Sequence, residues 1–316
     1  RGSRKDPQIG REAFFSVKRE ILNLTRGSLV FSSTGGGTGN GMTASILETL
    51  TNSDDILPQD KTRFALVLPY ATQEPQEYVT NTVDFLQKYL SPAIDSGNTG
   101  NIFLFSNELK FANRLSESEY NTMLINSLKA FTAIPEKGES LRLLDGHIDY
   151  EDFDHFTSKP YFNHFTYFDY DPDQDIEKQL NENLNPYLLP PENPIEAMFL
   201  LEVPEGRSPT PFYDALDFFT GSAVTPVYGV LENPERDNYF ITVALLYSRK
   251  PAELVSDFNK ITQEHAEAKV RKSLEQHLTL PALHVDLEDE AKKVAEESGN
   301  KNAEEVLSVL RRLGKI

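Results

Sequence analysis

Short apolar runs alternate with helix-period stretches along the first third of the chain. Residues 28–33 (SLVFSS), 63–68 (RFALVL) and 101–105 (NIFLF) have the length and the near-continuous apolar character of strands buried on both faces. Between them the period changes. Residues 7–24 place Ile9, Ala13, Val17 and Ile21 on one helical face. A second helix runs through Thr43, Ile46, Leu47 and Leu50. A third spans 78–90, with Val79, Val83, Leu86 and Leu90 apolar. This order predicts an α/β fold with a mainly parallel sheet.

Ser116 with Glu119 three residues later forms a capping box. It opens a helix through Met123, Leu124, Leu128 and Phe131, expected to stop before Pro135. Beyond about residue 158 the pattern changes. Strand signals fall at 161–170, 196–203, 225–231 and 238–248, and helical ones at 173–184, 209–219 and 251–276, an α+β arrangement. Pro281 interrupts the chain. A polar, helical tail is expected over 286–313, broken near Gly299 and Asn300.

Composition narrows the functions open to such a chain. Its 316 residues suggest two domains at roughly 150 residues each. The net charge of −18 makes tight, direct DNA binding a poor expectation, because phosphates are repelled over most of the surface. Residues 1–26 are an exception, with seven basic and three acidic side chains. The absence of cysteine excludes disulfides and thiolate chemistry and suits a reducing cytoplasm. No apolar run reaches the ~18–20 residues of a membrane span, and no secretory signal is visible.

Thr34-Gly35-Gly36-Gly37-Thr38-Gly39-Asn40-Gly41 lies between a buried-strand signal and a helix. Glycines there let the backbone approach a ligand closely, and the helix start adds free N–H groups and its positive dipole end. Phosphate is the natural guest. The run is not a P-loop, since no Lys-Ser or Lys-Thr pair follows and the next lysine in sequence is Lys61. Phosphate charge is therefore expected to fall on backbone dipoles and Mg²⁺. The plainer alternative is a flexible glycine turn.

GGGTGNG resembles the GGGTG[ST]G signature of the tubulin/FtsZ superfamily of assembling GTPases, with Asn40 in place of Ser or Thr. A second element stands at the expected place. His147-Ile148-Asp149-Tyr150-Glu151-Asp152-Phe153 follows the capped helix and resembles the N-x-D-x-x-D acidic loop of FtsZ. His147 and the closing Phe153 resemble the TubZ branch of plasmids and phages. So does Arg4-Lys5-Asp6-Pro7-Gln8-Ile9-Gly10, with Asp6 where that branch has Asn.

The resemblance implies GTP/GDP and Mg²⁺ as cofactors, with Asp149 and Asp152 as catalytic carboxylates that orient the attacking water on the nucleotide of the next subunit. It implies self-association head to tail into a filament. By the same resemblance the nucleotide contacts are Gly35, Gly36, Gly37, Thr38, Gly39, Asn40 and Gly41, with Glu74 at the ribose and Asn107 and Asn121 at the guanine. The aromatic that stacks on the base one turn before Asn121 is replaced by Glu117. Two other readings of the acidic loop stay open. His147, Asp149, Asp152, Asp154 and His155 suit a Zn²⁺ or Mn²⁺ site of a hydrolase, and such a loop can also simply be solvated.

The fold class so expected is an α/β Rossmann-like GTP-binding domain with a central helix and an α+β activation domain, a tubulin/FtsZ-like architecture. Its parts are residues 1–114 (GTP-binding), 115–158 (central helix and acidic loop), 159–277 (activation) and 278–316 (helical tail). The family begins with strands and a glycine loop that have no counterpart before Arg1. The chain is thus expected to be part of a longer protein or completed by another, with an apolar sheet edge bared. The tail, with Val306, Val309, Leu310 and Leu313 and a basic end at Arg311, Arg312 and Lys315, is expected to brace the filament or recruit a DNA-binding adaptor. Plasmid or phage DNA segregation is the expected role. The alternatives are cell division or cell shape, or a nucleotide-dead assembly module.

Overall fold

The computed structural model describes Ser3, residues 5–248, and positions 254, 256, 258–260, 263 and 267. The helix expected over 251–276 lies mostly outside them, and the tail over 286–316 entirely so. In chain order the elements are α1 (Pro7–Ser16), α2 (Lys18–Thr25), β1 (Leu29–Ser33), α3 (Thr38–Thr51), β2 (Thr62–Leu68), α4 (Gln76–Phe85), α5 (Ser91–Asp95) and β3 (Thr99–Ser106). Then come α6 (Glu108–Ala112), α7 (Glu117–Thr132), α8 (Ile134–Ser140), β4 (Arg142–Gly146), α9 (Tyr150–Thr157) and β5 (Phe162–Tyr170). The last are α10 (Ile176–Glu182), β6 (Pro194–Val203), α11 (Phe212–Gly221), β7 (Val227–Glu232) and β8 (Tyr239–Tyr247).

All eight described strands join one sheet in the order β1-β2-β3-β5-β8-β6-β7-β4. Strands β1, β2 and β3 are parallel, in a register that brings Ser33 beside Val67 and Val67 beside Phe105. Their C-terminal ends therefore lie along one edge of the fold. The second half is mixed, with β8 antiparallel to both β5 and β6 and β4 antiparallel to β7.

Every residue of β2 is buried, which explains its unbroken apolar run. Alternate side chains go to opposite faces. Phe64, Leu66 and Leu68 join a core with Phe14, Leu47 and Phe85, under α1, α3 and α4. Ala65 and Val67 join a second core under α7, with Tyr120, Leu124, Leu128 and Phe131. The halves meet at a narrow backbone seam, where β3 and β5 share the single pair Ile102–Phe162. Aromatic rings span that seam. Phe131 of α7 stacks on Phe165 at 5.3 Å and meets Phe103 edge-on at 5.6 Å, contacts worth about 0.5–1.5 kcal/mol each beyond burial.

A strap over residues 185–189 fills the rest of the gap. Leu189 N–H donates to Leu104 O and Ser106 N–H to Tyr187 O. Buried His164 holds this strap from β5. Its Nδ1 lies 2.9 Å from Leu189 O and its Nε2 accepts from Asn185 N–H at 3.1 Å. Burial pushes the imidazole pKa down to about 4, so the ring is the neutral Nδ1–H tautomer.

Several boundaries differ from the sequence reading. The helix expected over 7–24 breaks at Val17 into α1 and α2. Helix α7 does stop before Pro135, at Thr132, but a separate helix, α8, follows at once with Pro135 in its first turn, where its missing N–H is harmless. The acidic stretch is only partly loop, because α9 starts at Tyr150. Strand β1 is at the sheet edge, with Leu29 and Phe31 each 37% exposed.

Candidate functional site

The glycine run leaves β1 at Ser33 and enters α3 at Thr38. None of its glycines has a positive φ. The need for glycine is close approach instead. A Cβ at Gly41 would stand 2.0 Å from Pro7 O and 2.8 Å from Gly10 Cα, so α1 crosses α3 backbone to backbone. A Cβ at Gly37 would meet Ser3 Oγ at 2.0 Å and Asp6 N at 2.7 Å, and one at Gly35 would meet Tyr78 Cβ at 2.8 Å. A Cβ at Gly39 would come within 2.9 Å of Ser32 Oγ. Gly36 differs from the other four, since nothing lies within 4 Å of its Cβ position.

The loop is fixed from behind. Thr34 is fully buried, and its N–H and hydroxyl both donate to Val67 O. Asn40 turns its amide inward, donating to Thr34 O at 2.5 Å and Asn81 O at 3.0 Å, so its side chain shapes the loop. Asn81 of α4 in turn donates to Gly35 O at 3.0 Å and Lys5 O at 2.9 Å. Asn81 was not anticipated. Its only signal in sequence is a polar residue within an apolar helical stretch. With the carbonyls held this way, no described group accepts from the N–H groups of residues 35–40. The N-cap of α3 is Gly37, which has no side chain to cap the first turn. These donors, without an acceptor among the described residues, stand at a helix N-terminus, the arrangement that binds anions. A cation from the 4–10 segment lies beside them. Lys5, with φ 67°, holds its Nζ 5.2 Å from the Tyr78 ring centroid and 3.9 Å from Glu77.

Glu74 and Asn107 are brought together at the same edge. Glu74 Oε2 accepts from the Tyr70 N–H at 2.7 Å and from Asn107 Nδ2 at 3.0 Å. Asn121 is exposed in the first half of α7. That turn is tied to the edge by the Tyr120 hydroxyl, which donates to Ser106 O. Tyr120 itself is buried and faces Tyr187.

Asp149 and Asp152 lie elsewhere. Asp149 is the N-cap of α9 and its Oδ1 accepts from Asp152 N–H at 2.8 Å, while Asp152 Oδ2 accepts from Asp149 N–H at 3.4 Å. The pair is a reciprocal capping box that leaves one oxygen of each carboxylate without a hydrogen bond from the described residues. Asp154 pairs with Arg63 Nη2 at 2.6 Å, and Arg63 Nε donates to Thr157 at 3.0 Å. Arg63 follows Thr62 at the N-terminal end of β2. Thus α9 is pinned to the opposite edge of the parallel strands from the glycine run. The seven residues of β2 separate the two edges, about 20 Å at ~3.3 Å per residue. Among the described residues no group of three His, Asp or Glu side chains is placed to hold a metal ion.

The acidic end is also tied to the mixed half of the sheet. Gly138 of α8 lies so close to Ile148 that a Cβ would be 2.5 Å from Ile148 O. Beside it Lys137 Nζ reaches Glu202 Oε1 at 2.5 Å, and Arg236 Nε reaches Glu202 Oε2 at 3.2 Å. Glu202 is fully buried. Burial alone would raise its pKa, but hydrogen bonds from Lys137, Arg236 and Asn233 hold it below the ordinary carboxylate value.

A parallel half with a glycine loop at its strand ends, a capped helix, an acidic helix start at the far edge and a mixed half beyond it define the tubulin/FtsZ fold, and this chain has it. The solved structures it resembles include TubZ of Clostridium botulinum phage c-st, at 18% identity over 84% of this chain and 82% of that one, TM-score 0.57. It is also similar to a GTPγS-form protofilament of TubZ from Bacillus thuringiensis serovar israelensis, at 12% identity over 87% and 80%, TM-score 0.64. FtsZ of M. jannaschii matches at 17% identity over 78% and 74%, TM-score 0.55. No family model matches the chain, and no curated protein matches its sequence.

Proposed function

We propose that this chain binds GTP at the glycine-run edge, assembles head to tail, and hydrolyses GTP where one copy's acidic end meets the next copy's nucleotide. The observation that carries the reading is the separation of the two edges. The donors of residues 35–40 stand at one end of β2, and α9, the helix that Asp149 and Asp152 open, is tied to the other end through Asp154 and Thr157. One molecule cannot bring its own acids to its own phosphates, whereas two copies stacked in register can. A contact of that kind does not close on itself and propagates as a filament. The similar TubZ protofilament supports self-assembly as a property this fold can have.

In this reading the unpaired N–H groups receive the phosphates, Lys5 adds a cation, and Gly36 leaves the space for their approach. Glu74, Asn107 and Asn121 face the ribose and base. Asp149 and Asp152 use their remaining oxygens to orient water in the neighbouring copy's site. Mg²⁺ would neutralise charge on the phosphate oxygens. We assign the filament to plasmid or phage DNA segregation in the cytoplasm, through a DNA-binding adaptor rather than direct DNA contact. The net charge of −18 supports an adaptor over direct DNA contact, and the similarity to a phage TubZ supports segregation over cell division.

Light scattering of the chain with Mg²⁺ and GTP, GDP or ATP tests the core of this reading. Assembly is expected with GTP alone, followed by decay. Asp149→Asn, which keeps a capping side chain but removes the charge, is expected to assemble and persist. No response to GTP in either protein would sink the reading.

A further inference from the structure

Resting on the GTP reading, we propose that Glu74 is a positioning residue for base selection: it holds the Asn107 amide with its nitrogen turned to Glu74, so that its carbonyl oxygen is the atom presented to a base. A carboxylate can only accept, so the nitrogen of Asn107 must be the atom 3.0 Å from Glu74 Oε2. The orientation of this amide is therefore set by chemistry. The clamp is itself held, because the same Oε2 accepts from Tyr70 N–H at 2.7 Å and the Asn107 N–H donates to Leu68 O at 3.1 Å. Among the described residues Asn107 Oδ1 has no donor, and the residue is half-buried.

An acceptor presented this way can pair with the N1–H or the 2-amino group of guanine. It cannot pair with guanine O6. Adenine offers a bare ring nitrogen at position 1 and only C–H at position 2, so the same acceptor meets no hydrogen there. The amide of an unclamped Asn107 can turn over and present its nitrogen, and it then tolerates adenine. Glu74 thus selects guanine without touching it. This role is separable from a direct bond between Glu74 and the ribose, since GTP and ATP carry the same sugar.

The affinities of the 316-residue chain for GTP and for ATP, measured by titration calorimetry, distinguish the two. Wild type is expected to prefer GTP. Glu74→Ala is expected to lower the GTP-over-ATP ratio by about tenfold, the worth of one hydrogen bond. Glu74→Gln is expected to keep the ratio, because its Oε1 can accept the same two bonds. If Glu74→Ala weakens both nucleotides by one factor and leaves the ratio intact, the clamp is overturned while the GTP reading stands. An equal loss of selectivity in both variants would tie it to charge rather than orientation, and also overturns the clamp. A wild type that binds GTP and ATP alike overturns both the clamp and the reading it rests on.

Discussion

The two edges of the parallel strands are built by opposite means. At the glycine-run edge the backbone carries the structure. Four close approaches leave no room for side chains, Asn40 and Asn81 hold internal carbonyls, and the N–H groups of residues 35–40 have no acceptor among the described residues. At the acidic edge charged side chains carry it. Arg63 ties α9 to β2, and Glu202 ties α8 to the mixed half through Lys137 and Arg236. A receptive surface needs unpaired groups held rigidly, which backbone packing supplies without filling the site. A surface that must present carboxylates in fixed positions can use the chain's abundant acids, provided enough cations restrain them.

The sharpest way to break this comparison is at the glycines. Gly41→Ala places a methyl against Pro7 O and Gly10 Cα, which are backbone atoms and cannot swing aside. Displacing α1 from α3 is expected to cost about 3 kcal/mol or more. Gly36→Ala meets nothing within 4 Å and should leave stability within about 0.5 kcal/mol of wild type while weakening GTP binding. Urea denaturation of the two variants reads the difference. Equal destabilisation would mean that the run is uniformly structural and has no open position.

At the other edge the largest effect is expected from Glu202→Ala. It leaves Lys137 and Arg236 without the carboxylate they share, and Arg236 remains stacked 3.7 Å over the Phe240 ring. The side chains of Lys137 and Arg236 are 24% and 31% exposed, so water recovers part of the loss. A cost of about 2–3 kcal/mol follows, at or just below the ~3–5 kcal/mol of a fully buried broken pair. A change in urea midpoint equivalent to less than about 0.5 kcal/mol would show that the mixed half holds α8 by apolar packing alone.

Much of the glycine edge was legible in the sequence because strand, loop and helix are contiguous there. SLVFSS, GGGTGNG and the helix through Leu47 and Leu50 predict the path, and the parallel order follows. The closure was not legible. Asn81 is more than forty residues from Asn40, and nothing in its helical period marks it as the residue that holds Gly35 and Lys5. The segment 4–10 resembles a phosphate-side loop in sequence, but nothing in that pattern marks Lys5 as the cation beside the run. At the acidic edge the spacing of Asp149 and Asp152 was plain. The same spacing is that of a capping box, as at Ser116 and Glu119, so sequence alone does not separate capping from chemistry there. Short elements such as β4 and α9 carry too few residues for either period to stand out. The bond from Arg63 to Asp154 joins residues 91 positions apart, beyond any local signal.

The double use of Asp149 gives the smallest effect and the finest discrimination. Its carboxylate caps α9 through Asp152 N–H, so Asp149→Ala removes a helix cap together with the charge. Loss of such a cap costs about 1 kcal/mol. Asparagine caps about as well as aspartate, so Asp149→Asn should unfold at the wild-type denaturant midpoint. Both variants lack the carboxylate, and the proposed chemistry therefore expects the same loss of GTP hydrolysis in each. If hydrolysis instead follows the cap, falling in Asp149→Ala and surviving in Asp149→Asn, Asp149 serves only to hold α9. The acidic edge would then owe its chemistry to Asp152 or to another group.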